Sequence, residues 1–457
     1  MKFFFLSIFT LITSLHLLAQ ENSPYSRYGL GDMVPNQNIV NRGMGGVSVA
    51  YSDYGLIGSP LNINLVNPAS LGNLTNTKNF SNTIFDLGAE VDLKTIRSTV
   101  NTEKFNSKNT VMSYFQLAFP LSTKKMEKKG MGWAMALGLK PITRINYKLE
   151  SYGRLNSIDS FHTVNEGQGG INQVNISSGF KFTGKAKHNN EICVGFNTGY
   201  NFGFKDYSTK LALVNDTTPY QKTNYEEKTQ IQGLFLNTGI QYRINLNNKS
   251  IIRIGAFANV KNVMNAKKNT IYESFIYDYN GAPVTQDSIY TKQNIPGKVD
   301  MPTTYGGGFT YQSKNKEWLF GSDVEFTDWN SYLSYNEKDS VKSNWTVRVG
   351  AEYYPINIES AKKNYLSYIK YRAGFYFGPD YIKYNDTRIN YAITGGFSLP
   401  LTTPRYIQTR GEFVSLNTSV EIGARGNKDS YQLRENFTRI NIGISMNARW
   451  FQKRSYD

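Results

Sequence analysis

Residues 192–204 read ICVGFNTGYNFGF. Successive side chains of an extended chain point to opposite faces, so a strand sorts its residues by parity. Here Ile192, Val194, Phe196, Thr198, Tyr200, Phe202 and Phe204 take one face, and Cys193, Gly195, Asn197, Gly199, Asn201 and Gly203 take the other. One face is apolar and aromatic; its reverse is small and polar. The C-terminal segment repeats the pattern, with Ile440, Ile442, Ile444, Met446, Ala448 and Trp450 against Asn441, Gly443, Ser445, Asn447 and Arg449. Aromatic residues toward lipid and polar or small ones inward is the alternation of a transmembrane β-strand. The aromatic ending Trp450-Phe451 suits a closing strand recognised by the outer-membrane assembly machinery, although a six-residue tail, 452–457, follows it.

Working outward, composition agrees. Aromatic residues make up 14 % of the 457 residues, with 32 Tyr and 27 Phe, yet mean hydropathy is negative. At the N-terminus Met1-Lys2 precedes an apolar run, Phe3 to Leu18, and then Ala19-Gln20, which reads as a secretory signal peptide over 1–19. A retained anchor helix is the alternative, but the run is short for a span and His16 interrupts it. Beyond it no run of apolar residues is long enough for a membrane helix. Cys193 is the only cysteine, so no intramolecular disulfide forms, and none stands at the cleavage point to carry a lipid. The excess of 51 Lys+Arg over 35 Asp+Glu would suit nucleic acid in a cytoplasmic protein. In an exported chain it points instead to loops facing outer-membrane lipid headgroups and lipopolysaccharide.

The same parity rule predicts about fourteen strands, near 80–91, 109–121, 131–149, 169–184, 190–206, 228–245, 250–264, 302–312, 317–329, 344–355, 365–377, 389–399, 411–424 and 436–451. Long connections (92–108, 150–168, 207–227, 265–301, 330–343, 378–388, 425–435) alternate with mostly shorter ones such as 185–189, 246–249 and 313–316. Short periplasmic turns and longer outer loops give this rhythm. The fold class is therefore all-β, a transmembrane antiparallel β-barrel over 80–451 in the Gram-negative outer membrane, with both termini and the 452–457 tail periplasmic. Segment 265–301 has room for a further hairpin, and a soluble β-sandwich is the alternative architecture.

Residues 20–79 precede the barrel and hold few core formers. The inward faces of predicted strands are unusually small, as at Gly132, Ala134, Ala136 and Gly138. A barrel that holds a folded segment must leave it space, so 20–79 is expected to be a hatch inside the lumen. Gly43, Gly45 and Gly46 would allow tight turns there, and Pro68 would stiffen the approach to the first strand. A disordered periplasmic arm is the alternative. A phosphate loop at Gly43–Gly46 is unsupported, since no strand, P-loop lysine and helix surround it.

The stretches NRGMGGVSVAYSDYG (41–55) and NINLVNPASLGNL (62–74), with Asn67, Pro68 and Ala69 as an Asn-Pro-Ala motif, resemble the hatch of the FadL family of outer-membrane transporters. MPTTYGGGFTYQSKNKEWLFGSDVEFTDW (301–329), NWTVRVGAEYYP (344–355) and YRAGFYFGPDYI (371–382) are similar to that family's late strands. The resemblance implies a fourteen-stranded barrel and a ligand that is a long-chain fatty acid or another hydrophobic small molecule. It also implies a ligand path that passes the hatch and leaves sideways through a gap at the third strand. Pro141, flanked by Leu139 and Ile142, lies in that strand; a proline donates no ladder hydrogen bond and belongs at an interruption. Either it marks the lateral opening or it ends the strand at the membrane boundary.

Asp323 and Glu325, Arg348 and Glu352, and Lys370 and Arg372 fall on inward faces of three successive strands. Opposite charges on neighbouring strands read as a lumenal ladder rather than an acid/base pair. Beyond the signal peptide only His162 and His188 remain, both in predicted connections, so no catalytic residue, cofactor or metal site is expected. Two functions stand: uptake of a hydrophobic small molecule, or an accessory barrel binding protein cargo in type IX secretion. Polar outer loops such as NEKDSVKSN (336–344) keep the second in play.

Overall fold

The computed structural model describes residues 23–53, 61–75, 82–98, 104–155, 159–184, 189–214, 220–247, 249–279, 282–355, 364–384, 386–403, 412–427 and 433–449. The signal peptide, His188, Trp450, Phe451 and the tail lie outside them. Fourteen wall strands follow in chain order: β1 (Asn82–Ser98), β2 (Lys104–Pro120), β3 (Met131–Pro141 with Thr143–Arg154), β4 (Ser160–Thr183), β5 (Glu191–Val214), β6 (Lys222–Asn245), β7 (Ile251–Asn259 with Asn262–Tyr277), β8 (Pro283–Met301 with Thr304–Gln312), β9 (Trp318–Thr327), β10 (Asn344–Tyr353), β11 (Lys370–Tyr384), β12 (Asp386–Pro400), β13 (Phe413–Arg425) and β14 (Leu433–Arg449). Interrupted strands count once because both pieces lie along one neighbour, as those of β7 do along β6. Each strand pairs antiparallel with the next, and β14 closes on β1 from Leu433↔Ser98 to Arg449↔Asn82.

Parity is obeyed. Ile192, Phe196, Tyr200, Phe202 and Phe204 face outward and exposed, while Cys193, Asn197 and Asn201 are buried inward; Ile440, Ile442, Ile444 and Met446 oppose Asn441, Ser445 and Asn447 in the same way. The molecule is thus inside out, with its packed interior in the lumen and an apolar belt outside. Among the described residues no helix is long and apolar enough to cross a membrane.

Two expectations need correction. The predicted long connections are largely strand. Segment 265–301 is a hairpin that prolongs β7 to Tyr277 and starts β8 at Pro283, and 207–214 and 222–227 extend β5 and β6. A 24-residue strand such as β5 rises roughly 80 Å, far beyond an apolar band of about 25 Å. Past that band both faces meet polar surroundings, so the hydrophobic alternation vanishes while backbone pairing continues. The second correction concerns the termini. Ser23 hydrogen-bonds Glu435 at the start of β14, whereas Arg449 ends β14 beside Asn82. The described chain therefore begins and ends at opposite ends of the barrel.

Candidate functional site

The pre-barrel segment lies inside the ring of strands, because it touches every one of them. The Ile39 N–H donates to the Tyr114 hydroxyl of β2, and its side chain abuts Gly88 of β1 and Gly443 of β14. From there the chain steps round the wall. Arg42 pairs with Glu421 of β13, Gly43 sits on Gly396 of β12, Gly45 on Gly374 of β11, and Gly46 on Arg348 of β10. Ser48 and Val49 donate their N–H groups to Asp323 of β9 at 2.6 and 2.9 Å. The Ala50 carbonyl accepts from Thr310 of β8, and Val49 lies on Gly255 of β7. A second pass, 61–75, completes the circuit: Val66 with Asn237 of β6, Pro68 on Gly195 of β5, Leu71 on Gly179 of β4, and Thr75 on Gly132 of β3.

Wall glycines make this possible. A Cβ at Gly374 would stand 2.2 Å from the Gly45 nitrogen, one at Gly195 2.4 Å from the Pro68 carbonyl carbon, and one at Gly239 2.0 Å from the Asn67 Oδ1. The small inward face seen in the sequence is the footprint of the plug. On the plug itself Gly45 and Gly46 have φ of +67° and +84°, which L side chains rarely adopt. The Asn-Pro-Ala residues act as a splice. Asn67 Oδ1 accepts from the Ala69 N–H at 3.1 Å, and Nδ2 donates to the carbonyls of Val49 (2.8 Å) and Ile240 (3.1 Å), joining the plug's two passes to β6. Pro68 opens the 3-10 helix Pro68–Thr75, a position where its missing N–H is no loss.

The predicted charge ladder is present in part and does more than brace the wall. Arg348 pairs with Glu325 at 3.2 Å, and Glu352 with Arg372 at 2.8 Å and Lys370 at 3.5 Å. Asp323 instead holds the plug through the two N–H groups named above. The plug also enters the ladder, since Asp53 pairs with Lys370 and Arg372 and the Tyr51 hydroxyl donates to Glu352 at 2.8 Å. A second chain of buried ion pairs escaped the sequence reading. It runs Arg144–Glu90 (2.7 Å), Glu90–Arg42 (2.5 Å), Arg42–Glu421, Glu421–Arg439 (3.7 Å), Arg439–Asp92 (3.5 Å), Asp92–Lys94 (3.3 Å), Lys94–Asp32 (3.0 Å), Asp32–Arg425 (2.6 Å) and Arg425–Asp380 (2.8 Å). Arg42 and Asp32 are plug residues, and their partners lie up to 393 positions away, a distance no spacing rule spans. Burial alone would raise the Asp32 pKa, but Lys94, Arg425 and Arg439 outweigh it and hold the carboxyl well below its ordinary value. Burial likewise opposes the charge of Arg42, yet Glu421 and Glu90 hold its pKa above that of a free guanidinium.

The wall has a seam that stops short. β2 and β3 pair only from Phe115↔Leu139 to Pro120↔Ala134. Beyond that point β2 from Tyr114 to Lys104 pairs with β1 alone, and the rest of β3 has β4 on one side. Leu139 is the last residue of the seam, Pro141 follows, and Ile142 is the break in β3. The three predicted residues therefore converge where the wall parts. On β4 the break is matched by Gly169 and Gly170, at φ +125° and +140°, where a Cβ on Gly170 would stand 2.3 Å from the Thr143 carbonyl; the Gly-Gly pair in the sequence is a signal that was missed. The edge of β3 left by β2 is taken by the plug. Asp32–Met33 pairs with Arg144 and Thr143, the Val34 N–H donates to the Ile142 carbonyl at 2.9 Å, and Asn36 meets Lys140. Behind this leaf lies a cavity of about 270 Å³, bounded there by Met33, Val34, Pro35 and Ile142 and deeper in by Phe235, Phe257, Asn201 and Arg348.

A family model described as BamG matches residues 1–457. The chain belongs to the BamG family. Solved structures similar to this BamG-family chain include the toluene transporter TodX of Pseudomonas putida, at 14% identity and TM-score 0.52 over 91% of this chain and 99% of that one. A FadL homologue of Pseudomonas aeruginosa is similar at 11% identity and TM-score 0.52, over 92% and 99%. At such identities the likeness is one of fold: the chain has the FadL-type barrel fold, as the strand count implied. No curated protein matches the chain in sequence.

Proposed function

We propose that this BamG-family barrel is a passive outer-membrane channel for small hydrophobic molecules, which leave the lumen sideways between β2 and β3. The observation that carries this reading is the unpaired wall beyond Leu139, with a partly apolar cavity directly behind it. In hydrocarbon an unpaired strand edge is tolerated only where protein or a cavity serves it, and here the Asp32–Asn36 leaf serves one edge. The driving force is transfer of apolar surface from water to pocket to bilayer, so no catalytic step, cofactor or metal is invoked. Long-chain fatty acids and monoaromatic hydrocarbons are the ligand classes to compare; a cavity of about 270 Å³ favours the smaller. On this reading the end where β1 begins and β14 ends faces the periplasm.

The second reading is an accessory barrel for a protein partner. The name of the matched family points to the outer-membrane assembly machinery, with a type IX secretion cargo as a further candidate. A plug that touches all fourteen strands and is held to β1, β11 and β13 by buried ion pairs suits a rigid docking unit. Purification of the mature barrel in mild detergent, native mass spectrometry and extraction of bound molecules separate the two. A co-purified hydrophobic compound, depleted when Asn67 and Pro68 are changed to alanine, supports the channel; a ligand-free barrel retaining a protein partner supports the accessory role.

A further inference from the structure

On the outer wall, away from the lumen, a groove of about 620 Å³ crosses β12, β13, β14, β1 and β2. Its lower edge is apolar. Ile393, Ile422 and Leu93 stand in one row of the register, all exposed, and Ile440 continues the apolar belt beneath them. One step up, the floor is shallow because the aligned residues Ala424, Asn436 and Thr95 are small. Above them, outward-facing Arg434, Arg97 and Lys104 are directly opposed on β14, β1 and β2. Lys108 flanks the groove beside Leu93.

Like charges set directly opposite each other across strands destabilise a sheet. Among the described residues these four cations form no ion pair and no acidic side chain lines the groove. Arg434 is held in place by neutral groups, donating to Asn436 at 3.2 Å and to the Tyr391 hydroxyl at 3.4 Å. Leu93 and Arg97 are four strand residues apart, roughly 13 Å, so the cationic row stands above the apolar edge across the small-residue floor, with Lys108 level with that edge. Guanidinium pairs recognise phosphate bidentately and ammonium groups add point charge. We propose that this groove binds the phosphorylated lipid A moiety of lipopolysaccharide, its acyl chains over Ile393, Ile422 and Leu93 and its phosphates on Arg434, Arg97, Lys104 and Lys108. The site rests on the orientation given above, which turns this end toward the outer leaflet, but not on passage through the lumen.

The test is native mass spectrometry of the full-length barrel titrated with bisphosphorylated lipid A, dephosphorylated lipid A or phosphatidylglycerol. Wild type should retain bisphosphorylated lipid A at least tenfold better than either other lipid. Arg97→Gln with Lys108→Gln and Arg434→Gln should lose that preference, whereas Lys267→Gln with Lys298→Gln, on exposed β7 and β8 positions outside the groove, should keep it. Heat-modifiable gel mobility establishes that each variant is folded, and the wild-type lipid comparison stands without any variant. Equal retention of the three lipids, or the same loss in both variants, would overturn the proposal. Either result leaves the uptake measurement untouched, so a failed lipid site and a failed channel are told apart.

Discussion

Gly374→Ala should destabilise the barrel, and Gly395→Ala, on the neighbouring strand, should not. Both glycines lie in the interior of paired strands, and Gly395 sits beside Ala373 in the register. At Gly374 a Cβ would stand 2.2 Å from the Gly45 nitrogen and 2.3 Å from the Met44 carbonyl carbon, so plug backbone must shift; at Gly395 the nearest atom is the Arg372 carbonyl oxygen at 3.9 Å. Replacing glycine where alanine fits stabilises by about 0.4–1 kcal/mol through the unfolded chain. Overpacking costs about 1–3 kcal/mol. The two variants should therefore separate by roughly 1–4 kcal/mol, with Gly374→Ala on the unstable side. Heat-modifiable mobility in detergent at one heating rate reads the midpoints, and limited proteolysis reads release of segment 23–75. Equal midpoints and equal protection would refute the idea that wall glycines exist to seat the plug.

Arg42→Met strips a shared cation from Glu90 and Glu421 and should cost about 3–5 kcal/mol, the penalty for breaking a buried pair; a thermal midpoint within error of wild type would contradict the bolted plug. Asn67→Ala leaves buried carbonyls without their donor and should cost about 1–3 kcal/mol, read as faster proteolysis of the plug. Asp32 has a depressed pKa in the folded state, so its contribution is fully present above the ordinary carboxyl pKa and is lost only as pH falls toward the folded value. The midpoint difference between wild type and Asp32→Asn should then be the same at pH 7 and pH 4.5, and a difference that collapses by pH 4.5 would show that Asp32 is not held by Lys94 and Arg425. Gly170→Ala, at φ +140°, should destabilise the β3 break, whereas Gly307→Ala, with 3.9 Å of clearance, should not.

Much of this was legible in the chain because a lipid-facing strand writes its period into side chains, as β5 and β14 do. The limits were equally physical. Past the apolar belt the alternation stops although the ladder continues, so residues 265–301 read as a long connection with room for a hairpin. Gly45, Gly46 and Asn67 were recognisable as hatch residues from their turn chemistry and motif, and Gly132 from the small inward face. Their contacts were not, because a plug meets the wall at positions set by barrel closure rather than by sequence distance. Asp323 illustrates the difference: its inward placement was evident, but its partners proved to be the Ser48 and Val49 N–H groups rather than Arg348. Pro141 announced the wall break through a missing donor, and Gly169-Gly170 announced it a second time on the facing strand.

Passage between β2 and β3 requires the Asp32–Asn36 leaf, which covers the β3 edge, to move aside. Asn36→Cys with Lys140→Cys would tie the leaf to β3 in a chain whose one native cysteine, Cys193, is buried. Uptake of radiolabelled toluene and of oleate into proteoliposomes should fall to the protein-free level on oxidation and recover on reduction. Unchanged uptake in the fully cross-linked barrel would mean that hydrophobic molecules, if they pass at all, do not pass here.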